Sequence, residues 1–165
     1  MMKSQDLLIL AKLIAQPEQK WTQNKLAKSV FISQSEISES IARSRYAQLL
    51  SNKGYEPKRK AIFDFIQYGL SYVFPERPGP VVRGTVTAHS APPLKDEISS
   101  VELYVWPYAK GDARGHSIQP LYPSVLQAVE IDKNLYEILA LMDAIRVGKI
   151  REKKLALKYL KERIC

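Results

Sequence analysis

The sequence predicts a mostly α-helical fold with a small β component (α+β), and three patterns carry that prediction. Apolar residues recur at three- and four-residue steps through residues 4–50 and again through 134–164, the period of helices buried on one side. A stiff stretch with Pro75, Pro78 and Pro80 ends the first helical run. β-branched residues then crowd Val81 to Ala88. The expected organisation is a helical part, residues 1–75, joined by the proline connector to a small α+β part, residues 81–165, that ends in two helices.

Each element has its own signal. Leu7, Leu8, Leu10, Ala11 and Ile14 predict an amphipathic helix over Ser4 to Ala15, with Ser4 as N-cap and Pro17 just beyond its end. Thr22 precedes a short second helix through Val30, with Leu26, Ala27 and Val30 inward. A third helix runs from Gln34 to about Leu50, with Ile37, Ile41 and the Leu49/Leu50 pair on its apolar side. Ser33 and Glu36 stand at capping-box spacing, so each side chain is expected to satisfy the other's backbone amide. Ser51 to Lys60, with Gly54 and Pro57, reads as a loop or short hairpin. Lys60 to Phe74 reads as a fourth helix, weakened at Gly69 by about 1 kcal/mol.

Beyond the prolines, Val81 to Ala88 reads as a strand with a bulge at Gly84, and Val101 to Trp106 as a second. Ala113 to Leu121 is expected to pair with that second strand across the turn at Lys110-Gly111-Asp112. A short helix over Ser124 to Val129 precedes a strong one over Asn134 to Val147, stopped at Gly148. The last helix, Lys149 to Ile164, sets Ile150, Leu157, Leu160 and Ile164 against a face of lysines and arginines.

Composition narrows the function classes. The 165 residues carry a net charge of +8. It is clustered: eleven Lys/Arg against five Asp/Glu in residues 1–60, five against eight in 61–132, and nine against four in 133–165. Two basic ends around an acidic middle attract polyanions over a Debye length, about 8 Å at physiological salt. No apolar run approaches the ~20 residues of a membrane span and no secretory signal is legible, so a cytoplasmic protein without membrane contact is expected. One cysteine, Cys165, builds neither an internal disulfide nor a thiolate metal site.

The motif that points to a function lies at residues 22–46. Leu26-Ala27, the turn Phe31-Ile32-Ser33, then Gln34-Ser35-Glu36-Ile37-Ser38 and Ile41 resemble the helix-turn-helix of winged bacterial transcription regulators of the MarR kind. Phe31 departs from that pattern, standing where glycine is usual, and Glu39 stands where a basic residue is common. The resemblance implies a helix that enters the major groove of duplex DNA, usually in a two-fold homodimer that represses transcription.

Physical chemistry supports the same residues independently. A groove about 12 Å wide admits a helix whose first turn carries short polar groups, as Gln34, Ser35 and Ser38 do. Gln34 matches adenine bidentately, and Glu39 either accepts from cytosine or repels phosphate to fix register. Arg43 reaches base or backbone one turn on. Lys25 and Lys28 suit phosphates. Lys53, Lys58, Arg59 and Lys60 follow where a wing, or equally a basic loop, would supply affinity rather than specificity. The apolar stripes of the last two helices are expected to serve dimerisation.

Enzyme chemistry is not expected. His89 and His116 lack acidic or thiol neighbours at metal-ligand spacing, so no metal and no cofactor are expected; no nucleophile elbow, phosphate loop or dinucleotide fingerprint occurs. Tyr104, Trp106 and Tyr108 alternate along one extended segment, a pattern that suits a core more often than base stacking. The rival expectation is an antitoxin-like or adaptor protein whose residues 81–165 bind a partner protein.

Overall fold

The computed structural model describes residues 1–165. Eight helices and three short strands follow in the order α1 (Ser4–Ala15), α2 (Gln23–Val30), α3 (Gln34–Tyr46), α4 (Arg59–Tyr68), α5 (Leu70–Val73), β1 (Val81–Val86), β2 (Tyr104–Pro107), β3 (Ala113–Ser117), α6 (Val125–Glu130), α7 (Lys133–Val147) and α8 (Ile150–Ile164). The fold is thus α+β and mostly helical. No helix is long and apolar enough to cross a membrane.

α1 is not amphipathic but buried all round, from Gln5 to Ala15, because α2, α3 and α7 pack against it. Its polar residues are compensated inside the core rather than turned to water. Lys12 Nζ donates to Asp132 Oδ2 at 2.8 Å, and Asp132 in turn caps α7 by accepting from the Leu135 amide. Ser4 is not the cap either. Its hydroxyl donates to the Leu121 carbonyl, while Asp6 accepts from the Lys3 amide at the helix start.

α3 stops at Tyr46, four residues short of the expected end. Gln48 turns left-handed (φ +63°), and the amides of Leu49 and Leu50 both fold back onto the Ser44 carbonyl. The two leucines are buried through that turn, so the apolar period continues although the helix does not. The expected fourth helix divides at Gly69 into α4 and α5.

The sheet corrects the expected hairpin. β2 runs antiparallel beside the second half of β1 (Gly84↔Pro107 to Val86↔Val105), and β3 beside its first half (Val81↔His116 to Gly84↔Ala113). The 108–112 loop does not reverse the chain, since the Tyr108 amide still donates to the Arg83 carbonyl. β2 and β3 are therefore parallel where they meet, at Tyr104↔His116 and Val105↔Ser117, and the three strands close on themselves. Gly84 is the hand-over point between the two pairings, not a bulge. A side chain there would collide with the Trp106 carbonyl.

This small barrel is fastened to α7 by buried polar contacts. Asp143 Oδ2 accepts from Trp106 Nε1 (2.7 Å) and from the Thr87 hydroxyl (2.8 Å), Oδ1 accepts from Arg146, and the Tyr136 hydroxyl donates to the Val86 carbonyl. Trp106 is thus a core residue. α8 packs on α7 and α4 with Ala156, Leu160 and Ile164, which spends the apolar stripe expected to serve dimerisation; Ile150, assigned to that stripe, is exposed instead. One apolar cluster of 38 residues draws from α1 through α8, so residues 1–75 and 81–165 share a core rather than enclosing one each.

Candidate nucleic-acid interface

α2 is begun by Thr22, whose hydroxyl accepts from the Lys25 amide, and ended by Phe31 in the left-handed region (φ +58°, ψ +44°). Phenylalanine therefore takes the conformation that glycine ordinarily supplies, at a steric cost, and the turn keeps its shape. Ile32 is buried just after it, and Ser33 caps α3 by accepting from the Glu36 amide at 3.3 Å. Only this half of the expected capping box forms. Glu36 Oε2 instead receives the hydroxyls of Ser33 (3.5 Å) and of Tyr122 (3.3 Å), the second of which ties the chain before α6 to the start of α3. Partial burial, reinforced by this carboxylate, pushes the Tyr122 phenol up from its ordinary pKa.

Gln34, Ser35, Ser38 and Glu39 all lie exposed on the first two turns of α3, and nothing from the second half of the chain covers them. Ile37, Ser40, Ile41 and Ser44 form the buried side. The arginines of this helix point elsewhere. Arg43, expected to reach the nucleic acid, lays its guanidinium on the buried Asp6 carboxylate (2.8 and 2.9 Å), and Asp6 also accepts from Ser40. The hydrogen bond to Asp6 raises Arg43 above its already high pKa, so the group is a fixed cation spent on α1.

Arg45, which sequence patterning did not single out, donates to the carbonyls of Ser51 (3.1 Å) and Gly54 (2.8 Å). It anchors a one-bridge hairpin, Leu50 facing Pro57, that is closed by the amides of Ser51 and Lys58 and turned at Gly54 (φ +72°). Local sequence gives no hint of this link, because the partners are backbone carbonyls.

The basic residues of the second cluster separate. Lys53 is exposed beside the turn, whereas Lys58 donates to Gln48 (2.6 Å), Lys60 pairs with Asp64 (2.5 Å), and Arg59 donates to the Ile164 carbonyl at the end of α8. On α2, Lys28 is exposed and Lys25, also exposed, makes one bond to the Lys20 carbonyl. Lys28 and Lys53 make no hydrogen bond through their ammonium groups and Lys25 bonds only to a backbone carbonyl of a neighbouring lysine, whereas Arg43 and Lys60 are paired with carboxylates, Lys58 with the Gln48 amide and Arg59 with the end of α8.

Elsewhere, His89 and His116 flank Tyr104 edge-on, and no three His, Cys, Asp or Glu side chains come together to hold a metal ion. Arg83 and Arg114 face each other across β1 and β3, both exposed. Trp106 does not join them at the surface, since it is buried against Asp143 of α7. No family model, curated protein or solved structure matches this chain.

Proposed function

We propose that the chain binds duplex DNA in a sequence-selective way through α2, the Phe31 turn and α3, and regulates transcription by occupying its site. One observation carries the reading: a capped helix following a tight turn presents Gln34, Ser35, Ser38 and Glu39 bare, with the cations Lys25 and Lys28 on the helix before it. Phosphate contacts position such a protein and base edges specify its site. Lys25, Lys28 and Lys53 supply the first, and the α3 tip supplies the second. The hairpin at 50–57, braced by Arg45, stands in the place of a wing and is reduced to a single bridge.

Repression by a homodimer on two half-sites belongs to the same proposal. Its interface lies outside the α7–α8 stripe, which the core consumes. Tyr68, Tyr72 and Val73, exposed together along α4 and α5, are apolar enough to contribute. The second reading, an adaptor or antitoxin-like protein, keeps its partner surface on residues 81–165, where Val101, Ile131 and Ile150 are exposed.

The test is selection of duplexes from a randomised pool, followed by anisotropy titrations at several salt concentrations. Sequence-dependent binding that weakens with salt, and loses selectivity in a Gln34→Ala/Ser38→Ala double variant, is expected. Failure to retain any duplex at low salt would end the proposal.

A further inference from the structure

An α-helix advances about 100° per residue. Measured around α3 from Gln34, the exposed residues Ser38, Ala42, Ser35, Tyr46 and Glu39 fall at about 40°, 80°, 100°, 120° and 140°. Ala42 thus occupies the middle of the bare face, flanked by the polar groups. Arg45 falls at about 20°, inside this arc, but its Nε and Nη2 are committed to the hairpin carbonyls. Arg43 lies outside the arc on Asp6, so both arginines of the helix are engaged by the protein itself. The surface of this face continues sideways from Ala42 into an open groove of about 450 Å³ formed with Met1, Met2, Tyr46, Ala47 and the Arg43 that is held on Asp6.

We infer that Ala42 reads thymine, and that the half-site recognised by α3 is set by A·T pairs with no guanine contact from this helix. The inference rests on the duplex-DNA reading above and deepens it. The thymine C5-methyl is the one apolar feature on the major-groove edges, and a small apolar side chain is its match. Guanine O6 and N7 are read by Arg or Lys, and the two arginines of this helix are already engaged by Asp6 and by the hairpin carbonyls, whereas Gln34 offers adenine its paired donor and acceptor. Gln34 and Ala42 are eight residues apart, about 12 Å along the axis, which is three to four base-pair steps of about 3.4 Å. The adenine read by Gln34 and the thymine read by Ala42 are separated by that interval.

The experiment uses the full chain and a duplex selected from a randomised pool, resynthesised with single deoxyuridine, 7-deazaadenine or 7-deazaguanine replacements. Removing one methyl is expected to weaken binding about four-fold at a thymine three to four pairs from an adenine whose N7 is also needed. Ala42→Gly is expected to bind the thymine and uracil duplexes alike. Ala42→Glu is expected to lose selective binding with its melting transition retained, and 7-deazaguanine to change nothing. Selective binding that ignores every thymine methyl, or that requires a guanine N7 read by α3 (an effect removed by Gln34→Ala or Ser38→Ala), overturns the inference and leaves DNA binding standing. An Ala42→Glu variant that keeps its duplex but loses a dimer in light scattering makes this face an interface between copies, and also overturns it. Absence of any duplex binding removes both.

Discussion

Arg43 grips Asp6 with two parallel hydrogen bonds, Nε to Oδ2 at 2.9 Å and Nη2 to Oδ1 at 2.8 Å, and so fastens α3 onto α1. Asp6 is fully buried. Truncating the arginine strands that carboxylate in the core with only the Ser40 hydroxyl and the Lys3 amide, and breaking a buried pair from one side costs about 3–5 kcal/mol. Arg43→Ala is expected to lose stability of that order in chemical denaturation, whereas Gln34→Ala and Ser35→Ala stay within about 0.5 kcal/mol. Arg43→Lys rescues little, because one ammonium does not reproduce the two-pronged geometry.

Phe31 sets up a different contest. The left-handed backbone costs a residue with a side chain about 1–2 kcal/mol, and half of a phenyl group's burial returns about 1 kcal/mol. Phe31→Gly removes both terms and is expected within about 0.5 kcal/mol of the parent. Phe31→Val keeps the strain, adds β-branching and loses the ring, so it falls by more than about 1 kcal/mol. Denaturant midpoints of the two variants decide the matter; equal losses in both would show that the turn does not depend on this conformation.

What the sequence disclosed follows from the range of the interactions involved. Thr22 and Ser33 cap their helices three residues away, so the α2 and α3 starts were legible. The full burial of α1 is not legible locally, because Asp6 and Lys12 find their partners, Arg43 and Asp132, 37 and 120 residues away. Local periodicity carries no trace of such pairs. The end of α3 was misplaced because Leu49 and Leu50 continue the apolar rhythm through a turn. Arg43 was assigned to nucleic acid by its place on the helix, and its own core claims it. Ala42 carries no local signal, because a methyl side chain gains meaning only from the exposed groups around it.

Asp143 gives the stability an unusual dependence on pH. Burial pushes its carboxyl above the usual carboxylate range, against the opposing pull of Arg146, Thr87 and Trp106. A folded value above the unfolded one means that the folded state holds the proton more tightly. The contribution is therefore fully present below the unfolded value of 3.8 and is lost as pH rises through the folded value. Asp143→Asn does not titrate there. The parent's stability advantage over Asp143→Asn is expected to be greatest in acid and to shrink as pH rises, measured by urea denaturation from acid to neutral pH. A gap that widened with pH would place the folded value below the unfolded one.

Of the basic residues assigned to nucleic acid, Lys28 and Lys53 make no hydrogen bond through their ammonium groups and Lys25 bonds only to the Lys20 carbonyl, while Lys58, Arg59 and Lys60 are held by Gln48, Ile164 and Asp64. Each lysine that neutralises a phosphate steepens the fall of log K with log salt by about 0.9. Replacing the first three with alanine is expected to flatten that slope by about 2.7 and to weaken all duplexes alike, leaving the preferred sequence unchanged. Replacing Lys58 and Lys60 is expected to move the slope less. Arg59→Ala differs again, because it frees the Ile164 carbonyl at the end of α8 and registers as a lower melting temperature before any change in binding. Anisotropy titrations from low to moderate salt on one selected duplex separate these cases. A slope that moved with Lys58 and Lys60, and stayed fixed on removing the other three, would relocate the phosphate contacts from α2 to the start of α4.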